Sequence, residues 1–167
     1  MKATYHSLGT RATTEKKGKK AAEVGTVVAS SGVGTRATGD GLRVVAGVPR
    51  SWLRAEGLAA LAAGAGLYLH LGGQLVWLVP LLLVVDVSMA AYLVGPGAGA
   101  ALYNLAHNWA AGIAVLALGW WLGSAATVLA GAILVAHTGM DRAAGYGLKY
   151  PTAFGDTHLG RLGRSGR

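Results

Sequence analysis

Cysteine is absent from this chain of 167 residues, which excludes disulfides, zinc ribbons and thiol catalysis. Charge is scarce too, at 13% of residues, about half the usual share. The scarcity is localised. Between Gly57 and Met140 the one formally charged side chain is Asp86. All 15 Lys and Arg lie outside that window, ten at or before Arg54 and five at or after Arg142. The first fifty residues lack the apolar run of a cleaved signal peptide, so a first apolar span is expected to direct insertion. No nucleic-acid motif accompanies the net charge of +8, and nucleic acid is not expected as a partner. Basic residues flanking apolar sequence instead fit the positive-inside rule and attraction to anionic lipid.

What is present is an apolar block interrupted by Gly and Pro turns. Its length exceeds a soluble core and implies several membrane spans. Four segments, at about 52–71, 74–94, 100–122 and 125–145, each supply about 20 residues, enough for ~30 Å of hydrocarbon. The turns between them are Gly72-Gly73, Gly95-Pro96-Gly97 and Gly123-Ser124. The sequence therefore predicts an all-α, integral membrane bundle of four transmembrane helices. Both termini are cytoplasmic, because the Lys and Arg lie at the two ends and the outer turns have none. Residues 1–50, with the run Glu15-Lys16-Lys17-Gly18-Lys19-Lys20, read as a disordered basic tail. Residues 51–146 form the membrane domain and 147–167 a cytoplasmic segment ending in Arg161, Arg164 and Arg167.

Polar residues inside such a block are informative. A central Asp costs about 2.5–3.5 kcal/mol on insertion scales, so Asp86 should face the bundle interior with a partner. Depth identifies candidates. Asp86, His107 and His137 lie roughly 13, 11 and 12 Å from the cytoplasmic ends of their spans. Asn104, His107 and Asn108 share a face by their spacing, as do His137 and Asp141, and Glu56 is a candidate to close the layer. Three readings stay open. The groups are interhelical hydrogen-bond glue, a proton or ion relay, or a metal site. In the last, Asp86, His107, His137 and Asp141 supply the N/O ligands that zinc, manganese or iron accept in hydrolytic sites.

The most polar stretch runs from His137 to Gly160 and leaves the membrane as it goes. Asn104, Arg142, Lys149 and His158 are candidates for substrate binding, with Arg142 and Lys149 suited to an anionic headgroup. Asp156-Thr157-His158 is suited to fold back towards Asp141 or to cap the helix. A transport pathway would require a homo-oligomer, since four short spans do not enclose one.

Several motifs carry a resemblance. They are Trp52-Leu-Arg-Ala-Glu-Gly-Leu, Asp86-Val-Ser-Met, Leu102-Tyr103-Asn104-Leu105-Ala106-His107, and His137-x-x-x-Asp141-Arg142-Ala-x-Gly-Tyr-Gly-Leu-Lys-Tyr-Pro-Thr-x-Phe-x-Asp156-Thr-His158-Leu-Gly. Together they resemble the bacterial membrane family called domain of unknown function 4260, over about residues 52–162. The resemblance implies a small protein of the bacterial cytoplasmic membrane. A weaker similarity is to membrane-bound metal-dependent hydrolases of the YdjM type. It implies that Asp86, His107, His137 and Asp141 hold a metal that activates water against a lipid-like ester. This chain has Tyr103-Asn104-Leu105-Ala106-His107 where those proteins have His-Arg-Gly-x-Thr-His.

Overall fold

The computed structural model describes residues 34–37, 41 and 43–162. The Lys run of the N-terminal tail, together with Arg164 and Arg167, lies outside them. The described residues are mostly helical: α1 (Val48–His70), α2 (Leu75–Val84), α3 (Pro96–Ala106), α4 (Trp109–Leu122) and α5 (Ala125–Ala144). Four short strands accompany them: β1 (Gly34–Ala37), β2 (Arg43–Ala46), β3 (Asp156–Thr157) and β4 (Gly160–Arg161). Each strand pairs antiparallel with its neighbour, β1 with β2 and β3 with β4. The all-α expectation is corrected to that extent. Ordered structure also begins ahead of residue 50, because Thr35, Arg36 and Ala37 pair with Val45, Val44 and Arg43 within the stretch read as a tail.

Helices α1 and α5 form the backbone-to-backbone seam of the molecule. A Cβ added at Gly64 would stand 2.6 Å from the Ala136 nitrogen, and one at Gly139 would stand 2.4 Å from the Leu61 nitrogen. Small residues at those places are what allow the two helices to touch. Gly119 and Gly131 do the same between α4 and α5, where an added Cβ would meet Val128 or Leu116 backbone at 2.5 Å. Ser124 caps α5 by accepting from the Thr127 N–H, and Gly145 ends it in the left-handed region at φ 95°.

The second half of the molecule is built differently. After α2, the chain tightens into a continuous 3-10 segment, Val85–Leu93, that packs against α3. Runs of that length are uncommon, because 3-10 hydrogen bonds are poorer and side chains three apart eclipse. Here the eclipsing places Asp86, Met89 and Tyr92 on one side.

The third predicted span is broken. Helices α3 and α4 meet at a 46° bend, with His107 and Asn108 at the break. Asn108 is extended, and its amide holds both helix ends. Its Nδ2 donates to the Asn104 and Leu105 carbonyls at 2.7 and 2.8 Å, and its Oδ1 accepts from the Ala111 N–H at 2.9 Å. The shared helical face predicted for Asn104, His107 and Asn108 is therefore interrupted.

Polarity is arranged inside out. The fully buried side chains include His107, His137, Thr138 and Thr157, while Leu93, Val94, Trp120 and Trp121 are at least 80% exposed. Among the described residues, Leu75–Leu93 is the one unbroken helix long and apolar enough to cross a membrane. The bent pair α3–α4 would make a second by length and composition.

Candidate metal centre

Three parts of the chain bring their polar residues to one place. The 3-10 segment carries Asp86, the break after α3 carries His107, and α5 carries His137 and Asp141 one turn apart. His107 Nε2 and His137 Nε2 stand 3.4 and 3.5 Å from Asp86 Oδ1. Both also stand 3.9 Å from Asp141 Oδ2. The layer expected from depth alone is present, and three of its members offer ligand atoms all within 4.8 Å of one another. Glu56 is not among them. It is exposed on α1.

Hydrogen bonding fixes which nitrogens are available. His107 Nδ1 lies 2.9 Å from the Tyr103 carbonyl, which can only accept, so Nδ1 carries the proton and donates. That leaves the Nε2 lone pair of neutral His107 facing a carboxylate oxygen. Such a pair of acceptors requires a cation or a shared proton between them. His137 sharpens the point, since it is fully buried and neither ring nitrogen has a hydrogen-bond partner among the described residues. An orphaned buried imidazole is costly unless something absent from the chain itself satisfies it.

The spacing fits a small divalent ion. Ligand atoms at ~2.1 Å from a tetrahedral zinc stand ~3.4 Å apart. The Asp86 pairs match that spacing, and the Asp141 pairs are about half an ångström longer. Supporting groups surround the ligands. Tyr103, not singled out by the sequence reading, donates from its hydroxyl to Asp141 Oδ2 at 2.5 Å, and its ring stacks on His107 at 3.8 Å between centroids. Metal-site ligands commonly depend on such outer contacts for their orientation. The signal for Tyr103 was its spacing of four residues from His107.

The four residues predicted to bind substrate are drawn in around this layer, but largely through contacts within the chain. Asn104 uses its whole amide on Lys149, donating to the Lys149 carbonyl at 2.9 Å and accepting from its N–H at 2.7 Å. Arg142 donates to the Tyr146 and His107 carbonyls at 2.9 and 3.3 Å. Lys149 Nζ donates to the Phe154 carbonyl at 2.9 Å, and burial lowers its pKa against the opposing charges of Asp141 and Asp86. His158 lies 3.4 Å from the Leu148 carbonyl. Burial and then the Arg142 charge lower its pKa. Asp156 is engaged within its own turn. It accepts from Arg161 and Thr152 at 2.7 and 2.6 Å and closes the β3–β4 turn.

Comparison with known proteins adds a family to this geometry. Residues 50–162 match the family described as Domain of unknown function (DUF4260). The chain belongs to that family. The matched region contains all five helices from Arg50 onward, the four members of the polar layer and the β3–β4 turn. No match is found among curated proteins or solved structures. The similarity to YdjM-type hydrolases therefore gains no support, and a metal reading of this DUF4260 protein stands on its own residues.

Proposed function

We propose that this DUF4260 protein is a metal-dependent hydrolase of the bacterial cytoplasmic membrane, acting at the cytoplasmic leaflet. In this reading the helices make four spans with both ends cytoplasmic, α3 and α4 together forming one. The inside-out polarity supports it, because apolar side chains as large as Trp120 and Trp121 face outward while two histidines lie inside.

Asp86, His107 and His137 would hold the ion, with Asp141 beside them and a fourth position left for water. A divalent metal there supplies a Lewis acid and lowers the pKa of water to about 7. The Asp86 side chain is 33% exposed, so the layer has an open side for water and substrate. His107 is held in the ligand tautomer by the Tyr103 carbonyl, and Asp141 is oriented by the Tyr103 hydroxyl. The observation that carries the reading is His137, buried with both nitrogens unsatisfied.

The competing reading is a non-enzymatic bundle held by polar glue. The Tyr103–Asp141 and His107–Asp86 contacts favour it, but it leaves His137 near both carboxylates without a hydrogen bond to either. Metal content separates the two. Protein purified in detergent without chelators should carry near-stoichiometric zinc, manganese or iron by mass spectrometry, and the Asp86→Ala/His137→Ala double variant none. A parent that stays metal-free after add-back, with a double variant that is merely less stable, would establish the glue reading instead. A metal-loaded parent then warrants a screen for hydrolysis of lipid-like esters.

A further inference from the structure

Two cations are buried beside the polar layer without a carboxylate partner. Arg142 and Lys149 are each 5% exposed. Among the described residues, neither forms an ion pair within 4 Å. Carbonyl oxygens hold Arg142 on two sides. Lys149 is held by one carbonyl and three rings, with Nζ 3.7 Å from the centroid of Phe154, 4.8 Å from Tyr103 and 5.7 Å from Tyr92. Its ammonium group has three N–H donors, and the Phe154 carbonyl uses one. The Tyr103 ring that Lys149 approaches is the one stacked on His107, so the cation stands one ring away from the proposed metal.

The charges around the layer are informative. Asp86 and Asp141 offset Arg142 and Lys149, and both histidines are neutral in the ligand state. A divalent ion would leave two positive charges unbalanced in a largely dry interior, where an uncompensated charge is costly. The loaded centre therefore favours a ligand of charge near −2. A second unsatisfied donor belongs to a ring 5.7 Å from Lys149 Nζ. The Tyr92 hydroxyl is buried with no hydrogen-bond partner among the described residues, and it shares the Asp86 side of the 3-10 segment.

We propose that the loaded centre binds a phosphate group. One of its oxygens completes the metal, and others accept from Lys149 Nζ and the Tyr92 hydroxyl. A terminal phosphate carries about −1.5 to −2 charges at pH 7 and three acceptor oxygens, which suits both the charge and the donors. This inference rests on the metal reading above and adds to it the chemical class of the ligand. The phosphate arrives either free or as the headgroup of a lipid, and both present the same chemistry to the site.

The test uses the full chain in detergent micelles loaded with cobalt(II), whose visible absorption reports its ligands. Inorganic phosphate, or vesicles containing phosphatidic acid, should shift the cobalt bands saturably, while vesicles of phosphatidylcholine alone should not. A response to inorganic phosphate identifies the group itself as sufficient. A response to phosphatidic acid only identifies a lipid headgroup. Lys149→Met should weaken the response about tenfold or more, and Lys149→Arg should keep most of it. The phosphate-free cobalt spectrum checks that each variant is folded and loaded, and the titration of the parent stands even where a variant fails to fold. Cobalt bands that ignore both phosphate sources, or respond equally to phosphatidylcholine, overturn the phosphate proposal and leave the metal reading intact. Absence of any cobalt spectrum overturns both.

Discussion

The two halves of this molecule are held together by different physics. In one half, α1, α4 and α5 meet through glycines, with backbone against backbone and no room for a methyl group. In the other, the 3-10 segment and α3 meet through side chains, with the Tyr92 ring lying over Gly99. His137 and Asp141 belong to the first half, and Asp86 and His107 to the second. Across the boundary, α2 contacts α5, and polar contacts join the rest, including Tyr103 to Asp141 and His107 to Asp86. The difference teaches what a metal would do there besides chemistry. It would join a half packed through backbone to a half packed through side chains.

The comparison can be broken most severely at the seam. Gly64→Val pushes a branched side chain into the Ala136 backbone, which cannot move without shifting α5. We expect a loss of about 3 kcal/mol or more in unfolding experiments in detergent. Gly99→Ala meets Tyr92 Cγ at 2.3 Å, so the whole side chain must swing aside, but no backbone has to move and we expect a smaller loss of about 2 kcal/mol. Equal losses at the two sites would erase the distinction between the halves.

Tyr103→Phe probes the bridge between the halves. It keeps the ring stacked on His107 and the carbonyl that sets its tautomer, and removes only the hydroxyl bond to Asp141. Zinc affinity measured by competition with a chelator should fall by about 10- to 100-fold. Unchanged affinity would mean that Tyr103 merely packs.

The smallest effect concerns the C-terminal fold-back. The pKa of His158 is lowered from the ordinary 6.5, first by burial and then by the Arg142 charge. The folded state thus prefers the neutral ring, and its stability is complete above that ordinary value. Stability falls as pH drops from 6.5 towards the folded pKa, because unfolded His158 takes up a proton more readily. Thermal unfolding of the parent should show a loss over that range that His158→Gln reduces. An identical pH dependence in both proteins would remove His158 from the explanation.

Much of this arrangement was legible in the sequence because a lone charge in a long apolar block leaves few choices. An Asp in an apolar run needs a partner, and similar distances from the ends of three apolar segments select His107 and His137. Depth says nothing of backbone irregularity, however. The break at His107 carries no Pro or Gly, and its signal is Asn108, a good N-cap placed ahead of the apolar run of α4. The 3-10 segment left no mark either, since residues that suit it also suit an α-helix. In the N-terminal stretch, Arg43-Val44-Val45-Ala46 comes shortly after Gly39-Asp40-Gly41, residue types that favour turns in sequence, a hairpin signal that the high Gly and Ser content around it obscured. That the Asn104 amide is already engaged by the Lys149 backbone was not legible, because a sequence shows donors without showing their partners. The contacts between these two residues are tertiary and 45 residues apart.

The central claim is that two imidazoles from different halves share one metal. X-ray absorption spectroscopy of the zinc-loaded protein tests it most directly. We predict a shell of N/O ligands at ~2.0–2.1 Å with the outer scattering of two imidazoles, reduced to one in His137→Ala. Zinc bound with no imidazole signature, or with a spectrum that His137→Ala leaves unchanged, would contradict it.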